Sequence, residues 1–479
     1  MTDRRRWTAL IVVCLGQLMV VLDTTIVNVA LPRIDADLGF APADLTWVVN
    51  TYLIGYGSFL LLAGRLGDLI GRKKMFLGGV VVFTLASALC GLADDQTLLL
   101  VARFVQGVGG AAAASVIVAI IVTEFPGSAE RAKAMSAYTF VVVGGASLGL
   151  LTGGALTEAL DWHWIFFINV PVGILAIALG WFLIDENEGL GIKQGVDVLG
   201  SVLITASTAV GAFAIVKASD YGWTSARTLG LDAAALALLA GFLLVESRVR
   251  NPIVPLRILR LRSLMGSSVV RGLMVSGLFG CFFFGALYLQ RIRGYDAVDT
   301  GLAFLPQTVV VAALSLGPTA WLVGRFGAKA TLIAGLIPMI AGLVALTTIG
   351  EHTPFFPGVV LAYGLIGLGA GLTFMPLLHI AMAEVPRSDA GLASGIVNVS
   401  LQVSAALGLA ALGSIAASHT RSLLTHGHDA PSALLGGYHL VFGIAAGCVV
   451  VALVVAVTIL RAPRPAEVPP EAELEGQAA

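Results

Sequence analysis

The chain has 479 residues, of which 57% are hydrophobic and only 12% charged, and its mean hydropathy is +0.93. A soluble domain carries about a quarter charged residues, so composition alone describes an integral membrane protein. A net charge of −1 excludes the basic surface that nucleic-acid binding requires. Cys14, Cys90, Cys281 and Cys448 stand singly in apolar runs, which suits buried small hydrophobes and excludes a disulfide framework or a thiolate metal site.

Arg4-Arg5-Arg6 ahead of an apolar run imitates a signal peptide, but the run from Trp7 to Leu31 is long enough to span a bilayer. It reads as an uncleaved first span with its N-terminus inside. Apolar runs of roughly 17–25 residues then predict fourteen spans, at 8–31, 47–64, 74–93, 98–123, 135–157, 164–184, 198–217, 228–246, 264–289, 301–323, 331–350, 356–380, 392–416 and 437–460. Alternate loops are basic (Arg65 to Lys74; Arg131 and Lys133; Arg248 to Arg262; Arg325 and Lys329) and acidic (Asp35, Asp37 and Asp44; Asp94 and Asp95; Glu158 and Asp161). The basic set is cytoplasmic by the positive-inside rule, with Arg291 and Arg293 as the exception on the outer side.

In the first span, Asp23 is a carboxylate within an apolar run. An acid at mid-span costs about 2.5–3.5 kcal/mol on insertion scales, so it is expected to face a cavity or a cation. Gln17, Thr24 and Asn28 fall at helical spacing beside it and read equally as interhelical glue or as cavity wall. Between the second and third spans runs Gly64-Arg65-Leu66-Gly67-Asp68-Leu69-Ile70-Gly71-Arg72-Lys73-Lys74, a tight turn in which Asp68 is the odd acid among cations. Taken alone, it is also consistent with an ordinary cytoplasmic loop.

In the fourth span Arg103, Gln106, Gly107, Gly110 and Ala114 share a face whose small residues admit a neighbouring backbone. At 1.5 Å per residue Asp23 and Arg103 lie ~12 Å and ~9 Å below the outer ends of their spans. They are expected to pair, for proton coupling or as a purely structural ion pair. Gly145, Gly149 and Gly153 form a helix-packing ridge in the fifth span. Trp162, Trp164 and Phe166 read as aromatics at the outer interface.

Acidic residues Asp185, Glu186 and Glu188 and the basic run Arg248 to Arg262 bound two central spans. Beyond them Trp321-Leu322-Val323-Gly324-Arg325-Phe326-Gly327-Ala328-Lys329 echoes the 64–74 turn, an internal repeat of the kind from which secondary transporters are built. Gln17, Asn28, Gln106, Asn398 and Gln402 are the candidate substrate-cavity residues, with Phe279, Phe282, Phe283, Phe284 and Phe374 as apolar walls. His419, His426, His428 and His439 read as solvated loop residues, so no metal or cofactor is expected. No P-loop or HExxH run and no nucleophile–base pair stands out, so neither an ATP-driven pump nor an enzyme is expected.

The G-R-L-G-D-x-x-G-R-K-K turn closely resembles a signature of the major facilitator superfamily of secondary transporters. L-D-x-T-x-x-N-x-A-L-P from Leu22, R-F-x-Q-G-x-G-G-A from Arg103 and W-x-W-x-F-x-I-N-x-P-x-G from Trp162 resemble motifs of its fourteen-helix drug:proton antiporter family. The resemblance covers residues from about 10 to 460. It implies an all-α major facilitator fold: a six-helix bundle (1–186), two inserted helices (187–250), a second six-helix bundle (251–462) and a disordered cytoplasmic tail (463–479). The implied function is proton-coupled export of hydrophobic or cationic small molecules. Asp23 and Arg103 would carry proton coupling, and Gly64, Arg65, Gly67, Asp68, Gly71, Arg72 and Lys73 would form a conformational motif. Three positions depart from the family pattern: Leu150 replaces the proline after Gly149, His163 an arginine, and Leu401 a basic residue. The implied setting is a monomer in the inner membrane, both termini cytoplasmic, partnered by protons, lipid and a small lipophilic substrate. A lipid or specific-metabolite carrier, or a non-transporting membrane sensor of the same fold, remains open.

Overall fold

The computed structural model describes residues 3–41, 44–125, 128–186, 189, 197–249, 252, 256–315, 317–385 and 390–460. All the regular structure among them is helical. The first bundle comprises α1 (Asp3–Leu38), α2 (Trp47–Ile70), α3 (Arg72–Gly91), α4 (Gln96–Glu124), α5 (Ser128–Ala159), the single turn α6 (Trp164–Phe167) and α7 (Asn169–Leu183). α8 (Val198–Tyr221) and α9 (Ala226–Glu246) form an inserted hairpin. The second bundle comprises the short α10 (Leu256–Leu259), α11 (Arg262–Leu287), α12 (Ala297–Ala303), α13 (Leu305–Ser315), α14 (Pro318–Phe326), α15 (Ala328–Leu346), α16 (Val360–Met382), α17 (Ala390–Thr425) and α18 (Ala430–Thr458). Twelve helical segments among the described residues are long and apolar enough to cross a membrane. α2 and α5, of 24 and 32 residues, lie among them in the alternation.

Helical structure follows from the solvent as much as from propensity, because a backbone in hydrocarbon must satisfy its own N–H and C=O groups. At the acidic end of the molecule aspartates complete this accounting. Asp95, Asp296 and Asp429 cap α4, α12 and α18 by accepting hydrogen bonds from backbone N–H groups. The span expected at 301–323 is not one helix: it divides into α12, α13 and α14, with Gly317 at φ 150° ahead of Pro318, which opens the last piece.

The basic end shows why the 64–74 turn has its composition. Gly71 closes α2 and opens α3 at φ 106°, a conformation costly for any residue with a Cβ. Arg72 donates to Thr123 Oγ1 at 2.7 Å and to the Ala119 carbonyl at 3.4 Å near the end of α4. Lys73 donates to the Trp181 carbonyl at 2.7 Å near the end of α7. Lys73 thus meets one of the unpaired carbonyls that end α7, and both cations lie near helix C-termini with their negative partial charge. The echo at 321–329 has the same plan. Gly327 at φ 84° joins α14 to α15, and Lys329 donates to the Val457 and Leu460 carbonyls at 2.8 and 2.6 Å, at the end of α18. In each bundle a lysine just past the turn fastens the bundle's last helix. The side chains of Arg65 and Asp68 lie outside the described residues.

At the opposite, acidic end the two bundles meet. Past α11 the chain makes a π turn, Tyr288–Ile292, that directs Gln290 and Arg291 at α1. Gln290 donates to the Val29 carbonyl at 2.9 Å, and Arg291 pairs with Asp35. Arg293 donates to the Glu351 carbonyl at 2.8 Å. The two arginines that broke the charge alternation are therefore bound to an acid and a carbonyl at that end. Gly154 of α5 faces the Ala297 carbonyl of α12 so closely that a Cβ would approach it to 2.4 Å. The hairpin joins in through Lys217 of α8, which bridges Asp44 at 2.8 Å and Asp220 at 3.4 Å, and Asp220 also meets Arg421 of α17 at 3.4 Å. Lower down, α8 sits between α2 and α17, with Phe213 against Trp47 (ring centroids 6.2 Å apart) and Gly211 facing Leu407.

Candidate functional site

Two charges from α1 and α4 meet in the middle of the first bundle. Asp23 is 0% exposed and Arg103 1%. Arg103 Nη1 lies 2.5 Å from Asp23 Oδ2 and 2.6 Å from Gln106 Oε1, while Nε donates to the Val48 carbonyl of α2 at 3.0 Å. Asp23 Oδ1 accepts from Gln106 Nε2 at 2.7 Å and from Asn169 Nδ2 at 3.4 Å. Both amides also donate to Ser87 Oγ of α3, at 2.6 and 3.0 Å. The guanidinium packs against the rings of Tyr52 and Phe166, 4.5 and 5.6 Å from their centroids. Five helices and the α6 turn thus converge on one carboxylate, each supplying a donor, an acceptor or a ring. Desolvating two charges is offset only when their remaining hydrogen bonds are satisfied as fully as here.

The sequence locates the two charges but not their setting. Gln106, expected on a substrate cavity, is 0% exposed and belongs wholly to this network. Its two hydrogen-bonding ends are consumed by Asp23, Arg103 and Ser87, which leaves nothing for a substrate. Trp162 and Phe166 are likewise not interface anchors. Trp162 is buried and donates to Asp37 at 2.9 Å, and Phe166 covers Arg103; only Trp164 of the three faces outward. Ser87 and Tyr52 are missed by sequence reasoning, and Asn169, though part of the motif from Trp162, receives no role there, because neutral residues in apolar spans carry no signal until their partners are known.

The remaining expected residues are dispersed. Asn28 donates back to the Thr24 carbonyl at 3.2 Å, and Gln17 accepts from the Tyr138 hydroxyl at 3.4 Å. Gln402 packs on α2 at Gly57, and its Oε1 has no partner among the described residues. The Asn398 side chain lies outside the described residues. Gly145, Gly149 and Gly153 all face α1; a Cβ at Gly149 would come within 2.0 Å of Thr25 Oγ1. The ridge therefore sets the spacing between α5 and the helix that carries Asp23. Position 271 carries a further charge: Arg271 of α11 is 7% exposed. The motifs pass over it, although a cation in the 264–289 span is the same signal as Arg103.

Two helical bundles meeting face to face, with a sealed charge network inside one of them, define a membrane carrier of the secondary-transporter type. The profile of the Major Facilitator Superfamily matches residues 13–409 and 308–478. The chain belongs to that superfamily. It is 39% identical over 437 residues to the puromycin resistance protein pur8 of Streptomyces alboniger, covering 91% of this chain and 86% of the relative. It is 34% identical to the cephamycin export protein CmcT of Amycolatopsis lactamdurans, covering 86% and 85% of the two chains. Among solved structures, the peptide-family transporter PepTSo superposes with a TM-score of 0.70 at 16% identity, covering 96% of this chain and 99% of that one. An inward-facing bacterial homologue of the human lysosomal transporter Spinster superposes with a TM-score of 0.65 at 16% identity, covering 96% and 98%.

Proposed function

We propose that this chain is a proton-coupled antiporter that exports lipophilic or cationic small molecules, antibiotics among them, across the inner membrane. The export reading is supported by relatives whose names are those of antibiotic resistance and export proteins. The proton reading rests on one observation, the enclosed Asp23–Arg103 pair. A carboxylate in a bilayer-embedded bundle changes its bonding completely when it gains a proton: it gives up the ion pair and becomes a donor itself. Arg103 is then free to lean on its other acceptors, Val48 O of α2 and Gln106. Asp35 lies twelve residues beyond Asp23 on the same helix, or ~18 Å along its axis. A small shift of α1 on protonation therefore reaches the contact with Arg291 that joins the bundles. Proton binding and bundle opening would share one helix, which is what obligatory exchange requires.

In this reading the basic end, with the 64–74 turn and both termini, is cytoplasmic, and the chain crosses fourteen times. Asp68 acts in the conformational cycle rather than in substrate binding. The test is substrate-induced proton release by purified protein, with puromycin and a lipophilic cation as probes, in wild type and Asp23→Asn. Release by wild type and none by the variant, with probe binding retained, is the expected result. Equal release by both places the proton elsewhere. Loss of resistance on adding a protonophore, in cells expressing the chain, is the matching expectation in vivo.

A further inference from the structure

The second bundle holds a charge that the coupling network does not use. Arg271 stands nine residues, or ~14 Å, inside α11, about midway through a hydrocarbon core of ~30 Å. At 7% exposure its guanidinium does not extend to the membrane surface as an arginine near a helix end would. Its recorded contact is with a ring. Its Cζ lies over the ring of Phe374 of α16, 5.8 Å from the centroid, and among the described residues Arg271 has no acidic partner and no hydrogen bond. Arg103 shows what the same protein does with a buried arginine that it neutralises itself: an acid, an amide and a carbonyl surround it. Among the described residues Arg271 has none of these.

Its neighbourhood supplies hydroxyls and rings, and no carboxylate pairs with it among the described residues. Long helical side chains lean toward the helix N-terminus, over the residues three and four positions back. Those residues are Ser268 and Ser267, both buried, and both hydroxyls lack a partner among the described residues. On the side toward α17, Gly272 allows Ser404 to approach; a Cβ there would come within 2.5 Å of its Oγ. Phe279, two turns further along α11, and Phe374 are half-buried and supply apolar surface.

We propose that Arg271, with the hydroxyls of Ser267 and Ser268, is an anion-recognising subsite, and that the exported compounds include lipophilic molecules carrying a carboxylate or sulfonate. The proposal rests on the export reading and specifies its substrate class. The planar fork of the guanidinium matches a carboxylate or sulfonate edge, and no hydrogen bond occupies its nitrogens among the described residues. A buried arginine without a counter-charge is costly, and an anionic ligand removes that cost on binding. A neutral ligand cannot. The first bundle would thus hold the coupling proton and the second the substrate's charge, near the same depth.

The test uses two dyes of one ring system, anilinonaphthalene sulfonate and the uncharged phenylnaphthylamine. Fluorescence titration is made on full-length protein in phosphatidylcholine nanodiscs, with empty discs subtracted, for wild type, Arg271→Gln and Arg271→Lys. Wild type is expected to favour the sulfonate. Arg271→Gln should weaken sulfonate binding by about 10- to 100-fold, the range of a charge-assisted hydrogen bond, and leave the neutral dye within twofold. Arg271→Lys should recover part of the loss. Equal weakening of both dyes by Arg271→Gln, or unchanged sulfonate affinity, overturns the proposal. Proteoliposome flux of the same dyes separates the two readings. Arginine-dependent sulfonate binding without flux of either dye supports the subsite and removes the export function. Flux of the neutral dye with sulfonate neither bound nor moved removes the subsite alone.

Discussion

Asp35 of α1 pairs with Arg291, on the π turn that follows α11, and so ties the first bundle to the second at the acidic end. Both side chains are about a quarter exposed, which limits the bond to about 1 kcal/mol. That amount still changes a balanced two-state equilibrium about fivefold. Asp35→Asn should therefore populate the conformer open at this end. The check is thiol-reagent access to a cysteine placed at Thr300, which is buried at this end in the closed arrangement. Faster labelling in the Asp35→Asn background is expected; an unchanged rate would show that the pair has no part in closure.

A second contact at the same end is steric rather than electrostatic. A methyl at Gly154 would lie 2.4 Å from the Ala297 carbonyl and 2.9 Å from the Val298 Cα. Neither is the movable end of a side chain, so Gly154→Ala must push α5 from α12. Turnover should fall severalfold, with the outer end held open. Gly78→Ala, where no atom lies within 4 Å, is the matched control and should keep wild-type flux.

The Asp23–Arg103 network makes a prediction about stability as well as transport. Asp23→Asn leaves Arg103 buried without its acid, a change that costs about 3–5 kcal/mol. Arg103→Gln alone leaves the acid in the same position. The double variant Asp23→Asn/Arg103→Gln removes both charges, with no change of size at position 23, and should melt closer to wild type than either single change. Thermal melts in detergent provide the cycle. Strict additivity would mean that the two residues do not act as a unit.

The inserted hairpin fixes the expected topology. Thr224, between α8 and α9, and Ser247, after α9, are both exposed and lie at opposite ends of one helix. A membrane-impermeant thiol reagent added outside intact cells should modify Thr224→Cys and not Ser247→Cys. The reverse pattern would invert the hairpin and, with it, the assignment of the basic end to the cytoplasm.

How much could be read in advance depended on how unusual each residue is in its surroundings. Asp23 and Arg103 are legible because a charge in a 20-residue apolar run is expensive, and counting residues to equal depth paired them correctly. The lysines at 73 and 329 are legible as a repeat, but their task of capping the carbonyls of α7 and α18 is not, since those acceptors lie 108 and 128 residues away or more. Gln106 reads as a cavity residue because an amide on a helix face has no address of its own; only the positions of Ser87 and Asn169 show that it is enclosed. The break of the tenth span into α12, α13 and α14 was hidden for a related reason. Hydropathy registers that a run is apolar, and not that Gly317 and Pro318 interrupt its helix.

The placement of α8 has a consequence for the surroundings of the molecule. In a carrier made of two bundles, the seam between them reaches the lipid on two flanks. Here one flank, where α2 meets α17, carries α8 as a buttress through Phe213 and Lys217. The other, where α5 meets α12, is a direct contact of glycine against a carbonyl, and the hairpin packs on the first flank instead. A greasy compound diffusing within the leaflet thus meets two unequal walls, one shuttered by the hairpin and the other closed by the bundles' own helices. Lateral traffic would be one-sided, and the protein would have a front and a back in the plane of the membrane as well as an inside and an outside.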